Sequence, residues 1–107
     1  MRNVKIYRLG KRTPKETGVI TIASQLHDDE NGSFVTYQAS FCSPKDRYDK
    51  QFGIEMAINR HTTNAKSVRI QVRKHNVVVN SILVDMLDRG IAPDWSKTTI
   101  RDFLNRV

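Results

Sequence analysis

Acidic and imidazole side chains in the 107-residue sequence could bind a metal ion. They stand together in one polar segment: His27, Asp28, Asp29 and Glu30. Oxygen and nitrogen donors of this kind suit divalent cations. The carboxylates alone, Asp28, Asp29 and Glu30 together with Asp46 and Asp49, would support a small metal-dependent nuclease or hydrolase. The spacing differs from that of a calcium-binding loop, so a solvated acidic hairpin is favoured and no metal is assigned.

Cys42 is the only cysteine, so the chain cannot form an intramolecular disulfide. It directly precedes a predicted helix, and a thiol at a helix N-terminus has a lowered pKa and greater reactivity. A nucleophile also needs a nearby base, and His61 and His75 would serve only if the fold brought them there. We therefore predict no catalytic residue, no enzyme activity and no cofactor. Cys42 is expected to be a small core or edge residue.

Basic residues outnumber acidic ones by 18 to 11, which gives a net charge of +7 and a pI near 9.9. Residues 1–18 carry six basic and one acidic residue, residues 44–75 carry eight and three, and residues 76–107 balance at four and four. A basic surface attracts nucleic acid or an acidic protein. A net charge of this size is also ordinary for solubility.

The predicted contact residues lie in the N-terminal segment and on the fourth strand. They are Arg2, Lys5, Arg8, Lys11, Arg12, Arg69, Arg73 and Lys74. Their role would be to pair with phosphate or carboxylate groups, which positions a partner without reading its sequence. Tyr7 could share an outward sheet face with Lys5, Arg69 and Arg73, and such a face suits stacking of single-stranded bases. A solvated face covered by arginine side chains is the open alternative.

Alternating apolar residues predict strands over residues 4–9, 18–26, 34–42 and 67–74, with a polar hairpin loop over 27–33. On the third strand the more apolar set is assigned to the core: Val35, Tyr37, Ala39 and Phe41. On the fourth strand Val68 and Ile70 should point inward and Arg69 outward.

Three helices are predicted between and after these strands. Ser43, Pro44 and Asp46 form a capping pattern, which predicts a helix from there to about residue 60 with a Gly53 and Ala57 stripe for close packing. A second helix runs from about residue 76 to a glycine stop at residue 90, although the valines at 77–79 could instead extend a strand. A third begins at a serine cap at residue 96.

The order β-β-β-α-β-α-α predicts a single α+β domain spanning residues 1–107. We expect an antiparallel sheet of about four strands with the helices on one face. No apolar run reaches the length of a membrane span, and the chain opens on no secretory leader. A cytoplasmic location is therefore expected.

The segment CSPKDRYDKQFGIEMAINR, residues 42–60, resembles a strand–[Ser/Asn]-Pro-x-Asp–helix pattern found in small uncharacterised proteins of bacteriophages and other mobile elements. The matching residues are Ser43, Pro44, Asp46, Lys50, Gly53, Ala57 and Arg60. The resemblance implies an accessory protein that acts on host or defence machinery. It implies no active site.

The leading functional hypothesis is a small, basic, non-catalytic protein of this accessory type that contacts nucleic acid or a nucleic-acid-handling host protein. The first alternative is an inhibitor that binds one protein by shape, with Trp95 or Phe34 as an exposed anchor. Such an inhibitor could be a homodimer formed through a sheet edge. The second alternative is the metal-dependent nuclease or hydrolase described above.

Overall fold

The computed structural model describes residues 4–10, 18–47, 49–71 and 74–105, which form one sheet and three helices. The strands are β1 (Lys5–Gly10), β2 (Val19–Asp29), β3 (Gly32–Cys42) and β4 (Lys66–Ile70). The helices are α1 (Lys50–Asn64), α2 (His75–Arg89) and α3 (Asp94–Leu104). The sheet order is β1-β2-β3-β4 and all three neighbouring pairs are antiparallel. The predicted α+β class and element order are confirmed.

The β2–β3 hairpin has a shorter turn than the loop predicted over residues 27–33. The pairing continues to Asp29 opposite Gly32, so only Glu30 and Asn31 lie outside the ladder. Gly32 has a φ of 119°, a conformation that glycine adopts without steric cost. Backbone hydrogen bonding therefore extends the strands through polar residues that side-chain hydropathy assigns to a loop.

One face of the sheet carries the main core. The predicted inward set on β3 is confirmed, since Val35, Tyr37 and Ala39 are buried and Phe41 packs against them. The other fully buried large apolar side chains of this cluster come from β2, α2 and α3: Ile20, Ile22, Val79, Ile82, Leu83, Met86 and Ile100. Burying each such side chain contributes about 1.5–3 kcal/mol, so this face supplies most of the apolar stabilisation.

The helices lie on both faces of the sheet, which differs from the expectation that all of them cover one face. α1 packs on the face opposite the main core, where β2 and β3 present small and polar side chains. Ser40 Oγ donates to the Gly53 carbonyl at 2.8 Å, and a Cβ added at Gly53 would lie 3.1 Å from Thr21 Oγ1. The predicted small-residue stripe faces this surface, and its Ala57 is fully buried.

The start of α1 predicted from the capping pattern is wrong. Ser43 closes a turn, because its carbonyl accepts from the Asp46 N–H at 3.0 Å and its Oγ from the Lys45 N–H at 3.0 Å. The N-cap is Asp49, whose Oδ1 accepts from the Phe52 N–H at 3.0 Å. Serine followed by proline and aspartate satisfies the backbone of a turn as well as that of a helix end, and here the turn forms.

The two C-terminal helices pack on the main core. The valines at residues 77–79, for which the sequence allowed either a strand or a helix, are helical, and Val78 and Val79 are buried. Gly90 has a φ of 69° and ends α2 as predicted. α3 begins before the predicted cap, and Ser96 is instead buried with its Oγ donating to the Pro93 carbonyl at 2.6 Å. Within the described ranges, no helix is both long and apolar enough to cross a membrane.

Candidate functional site

The predicted basic contact residues are dispersed. Four of the eight lie outside the described residues: Arg2, Lys11, Arg12 and Arg73. Lys5 and Arg8 lie on β1 and Arg69 lies on β4, so they are at opposite edges of the sheet. The fourth strand, predicted over residues 67–74, ends at Ile70, so Lys74 does not lie on it and instead directly precedes α2. The described members of the set therefore face different parts of the surface.

The expected stacking surface of Tyr7 with Arg69 does not form. Tyr7 pairs with Ile22 on the core face, where its ring centroid lies 5.2 Å from that of His75. Arg69 pairs with Phe34 on the opposite face. Successive side chains of a strand point to opposite faces of the sheet, and the register of each strand decides which residues face which side. Here the registers of β1 and β4 place Tyr7 and Arg69 on opposite faces.

Arg69 belongs to a closed cluster on the α1 side of the sheet. Its Nη1 and Nη2 donate to the two carboxylate oxygens of Asp29 at 2.7 and 2.5 Å. This pairing is the main reason that the pKa of Asp29 is lowered. The guanidinium also lies 5.2 Å from the ring centroid of Phe34, and that ring stacks on His27 at 4.9 Å. A phosphate bound by Arg69 would therefore have to compete with a carboxylate already in place.

Two of the three histidines converge on one hydroxyl, a feature that sequence alone could not establish. His27 Nε2 and His61 Nε2 each lie 2.9 Å from Thr36 Oγ1. Burial lowers the pKa of His61, and the neighbouring His27 lowers it further. The Nε2 atoms of both histidines face the Thr36 hydroxyl within the protein. This arrangement therefore fastens α1 to the sheet rather than exposing an acid–base pair.

The acidic hairpin is likewise engaged in internal contacts. Asp28 accepts from Ser33 Oγ at 2.7 Å, and Asp29 accepts from the Asn31 N–H at 2.9 Å in addition to Arg69. Across the part of the chain that the structure describes, no group of three or more His, Cys, Asp or Glu residues is arranged to hold a metal ion.

Cys42 does not have the environment expected of a reactive thiol. Its Sγ lies 3.8 Å from the carbonyl oxygens of Ser43 and Asp46. Burial raises the pKa of the thiol and the charge of Asp46 raises it further. The lowered pKa of a thiol that directly precedes a helix is not found here, because α1 begins at Lys50, eight residues after Cys42.

The aromatic residues named as exposed anchors are both packed. Trp95 meets Phe41 edge-on, with 6.4 Å between ring centroids and an interplanar angle of 83°. Phe34 lies against His27 and Arg69. Both side chains are half-buried. Among the described residues, the large apolar side chains that are exposed are instead Phe52, at 61%, and Val84, at 46%.

Phe52 borders a groove of about 230 Å³ between the Ser43 turn, the first turns of α1 and the sheet. Arg47 and Arg60 also line this groove. Small residues are part of its lining, namely Thr21, Ser40 and Gly53, and the missing side chain of Gly53 lets α1 approach the sheet closely. The groove thus combines an exposed aromatic ring with two guanidinium groups.

Arg60 is held in a defined position at the groove. Its Nη1 donates to the Ala39 carbonyl of β3 at 2.9 Å. A guanidinium has five N–H donors, so this bond leaves others directed elsewhere. Arg47 is exposed on the turn before α1. Two carboxylates of the same groove, Asp46 and Asp49, partly offset the positive charge, although Asp49 is engaged as the N-cap.

Comparison with protein-family models, with curated proteins and with solved structures found no match.

Neither Arg47 nor Phe52 is among the binding residues predicted from the sequence. Both lie within residues 42–60, where the pattern of capping and small residues indicates no binding role for them. Three residues of that pattern line the groove: Asp46, Gly53 and Arg60. The pattern predicts capping and close packing, and the fold also places these three residues around the groove.

Proposed function

We propose that this chain is a small, non-catalytic accessory protein that binds single-stranded nucleic acid in the groove beside α1. The observation that carries the proposal is the exposed Phe52 ring in a groove that Arg47 and Arg60 also line. The resemblance of residues 42–60 to mobile-element proteins agrees with such a role, and a host-cell cytoplasm is the proposed location.

Phe52 supplies the stacking platform in this proposal. A phenylalanine side chain that is 61% exposed on a helix leaves apolar surface in water, and a nucleobase could cover it. Stacking on an aromatic side chain contributes about 1–3 kcal/mol per base and tolerates any base sequence. Duplex bases are already stacked on one another, so the groove should favour single strands.

Arg47 and Arg60 supply the phosphate contacts. A guanidinium matches the geometry of a phosphate with paired N–H donors, and the contact of Arg60 with the Ala39 carbonyl fixes its orientation. Because two arginines line the groove and Asp46 and Asp49 offset part of their charge, the groove suits about two phosphates rather than a long tract. For single strands, that number predicts a loss of affinity of about tenfold between about 50 and 200 mM salt.

The test is fluorescence anisotropy of labelled single- and double-stranded DNA and RNA at both salt concentrations. The wild-type chain should bind a single strand more tightly than the duplex of the same sequence. Phe52→Ala should weaken binding by about tenfold, equivalent to the loss of one stacked base. Arg60→Lys, which keeps the charge and loses the paired donors, should also weaken it.

Arg101→Glu is the matched control for charge, because it reverses an exposed basic residue on α3, away from the groove. It should leave affinity within about threefold of wild type at 200 mM salt, where long-range charge effects are screened. Failure of the wild-type chain to bind at 50 mM salt would contradict the proposal. The protein-inhibitor hypothesis would then be the better one.

A further inference from the structure

Two imidazole rings from different elements meet where α1 packs on the sheet. His27 projects from β2 and His61 from α1, and the Nε2 atom of each lies 2.9 Å from Thr36 Oγ1 of β3. His27 also stacks on Phe34, with 4.9 Å between ring centroids, which keeps its ring beside the shared hydroxyl. These two residues, called here the histidine pair, are therefore part of the contact that holds α1 on the sheet.

We propose that the histidine pair releases α1 in mild acid and so lowers the affinity of the groove beside that helix for single-stranded nucleic acid. Histidine is the side chain whose ordinary change of charge falls between about pH 5 and 8. The inference rests on the proposed function, because it concerns the regulation of the same groove. Neither histidine lines the groove, so the role of the pair is to position the helix that does.

The charges around the histidine pair oppose its protonation. Asp29 lies on the same face of β2 as His27, but its two carboxylate oxygens already accept from Arg69 of β4. β3 carries no charged residue, and on α1 the residue before His61 is Arg60, which adds a positive charge. Two imidazolium groups around one oxygen would repel each other in a partly buried site with no free carboxylate on these elements to offset them.

The direction of the effect follows from which form of the chain binds a proton more tightly. While α1 is packed on the sheet, burial lowers the pKa of His61 below 6.5 and the neighbouring His27 lowers it further. Release of α1 exposes His61 to water and separates it from His27, so the released form binds the proton more tightly. The contact is therefore complete above pH 6.5 and is lost as the pH falls towards the lowered pKa.

Release of α1 would change the groove because the groove and the histidine pair share this helix. Arg60, next to His61, is held at the groove by its bond to the Ala39 carbonyl at 2.9 Å. Moving this end of α1 off the sheet would break that bond and remove a phosphate contact. Ala57 is the only buried side chain of α1, so little apolar burial opposes the movement. Only molecules with α1 packed on the sheet would bind, and the measured affinity falls with their fraction.

The test is fluorescence anisotropy of a labelled thymidine oligonucleotide, whose bases and phosphates do not titrate between about pH 5.5 and 7.5. The wild-type chain should bind it about threefold more weakly at the lower pH, which corresponds to α1 packed in about one molecule in three. Added positive charge alone would tighten binding, because protonated histidines attract phosphate. The sign of the change therefore separates release of α1 from a general effect of charge. Unchanged or tighter binding at the lower pH would overturn the inference.

Three substitutions assign the effect to the histidine pair. His61→Gln keeps a hydrogen-bonding side chain that cannot become charged, so it should bind as wild type at the higher pH and lose most of the pH dependence. His27→Gln removes the other charge, from the sheet side, and should also reduce the dependence. His75→Gln is the matched control, because His75 lies on the other face beside Tyr7, and it should keep the threefold change. A full threefold change in both of the first two variants would contradict the inference.

Hydrogen exchange tests the release of α1 without nucleic acid and so separates this inference from the proposed function. Between the two pH values, the protection factors of the α1 amides should fall by at least about tenfold relative to those of α2, which packs on the other face. His61→Gln should prevent this fall. Loss of protection in a chain that binds no nucleic acid at the higher pH would support the release and contradict the proposed function. Retained protection of α1 at the lower pH would overturn the inference and leave the proposed function standing.

Discussion

Thr36 and His61 join α1 to the sheet, with 2.9 Å between the threonine Oγ1 and the histidine Nε2. Other contacts between α1 and the sheet are also polar, such as Gln38 Nε2 to the Asn64 carbonyl at 2.8 Å. Ala57 is the only fully buried side chain of α1. The position of this helix, and hence the shape of the candidate groove, therefore depends on hydrogen bonds more than on apolar burial.

This dependence predicts a loss of stability in mild acid. Burial and His27 lower the pKa of His61 below its ordinary value of 6.5, so the unfolded chain binds a proton more tightly than the folded chain. The contribution of His61 is fully present above pH 6.5 and is lost as the pH falls from there towards the lowered folded-state pKa. Urea unfolding between pH 5 and pH 8 measures the effect.

His61→Gln removes the titrating group and should give a flatter dependence of the free energy of unfolding on pH in that range. His75→Gln is the control, because His75 lies on the other face of the sheet beside Tyr7. If the two variants had the same pH profile, the assignment to His61 would be wrong.

Gly53 should be intolerant of a branched side chain. Its place against Thr21, with 3.1 Å between an added Cβ and Thr21 Oγ1, leaves no room for further methyl groups. Gly53→Val should lower the free energy of unfolding by about 1–3 kcal/mol. Asn59→Val, on an exposed position of the same helix, should change it by less than about 0.5 kcal/mol. Adding Thr21→Ala to Gly53→Val should recover part of the loss, and additive effects would contradict this explanation.

Tyr37 should contribute to stability through its hydroxyl as well as its ring. The buried hydroxyl donates to Asp85 Oδ2 at 2.6 Å, and the same oxygen accepts from Arg89 Nε at 2.6 Å. Tyr37→Phe should lower the free energy of unfolding by about 1–3 kcal/mol. Thr62→Val also deletes a hydroxyl, but from an exposed position, and it should have an effect below about 0.5 kcal/mol. Equal effects of the two variants would show that the contact with Asp85 is unimportant.

Cys42 should react slowly with alkylating reagents at neutral pH. Burial and Asp46 raise the pKa of its thiol above the ordinary value of 9.0, so little thiolate is present. The rate of alkylation by iodoacetamide, followed by mass spectrometry, should have a pH midpoint above that of a cysteine in an unstructured peptide. Asp46→Asn should lower the midpoint, and a midpoint below the peptide value would show that the thiol is activated.

The α+β class could be predicted because it depends on short-range patterns. The alternation from Val35 to Phe41 identified the buried face of β3, and Gly90 identified the end of α2. Such signals lie within one element, where the period of the side chains and the conformational preference of a single residue are sufficient.

The start of α1 and the face that it covers were not predictable in the same way. The Ser43 pattern satisfies a turn and a helix cap equally well, and the contacts of the following segment determine which of them forms. The polar side of β3 looked solvent-facing, but Ser40 and Thr36 bind α1 there. Polar side chains can face either water or a helix that offers hydrogen bonds, and no local pattern distinguishes the two.

The sequence by itself therefore determined the order of the elements, the buried face of β3 and the net charge, because each depends on residue type and spacing along the chain. The tertiary structure alone decided that Arg69 meets Asp29, that His27 and His61 share one hydroxyl, and that Phe52 borders a groove with two arginines. These contacts join residues distant in sequence, and their geometry depends on strand register and on how closely a helix approaches the sheet.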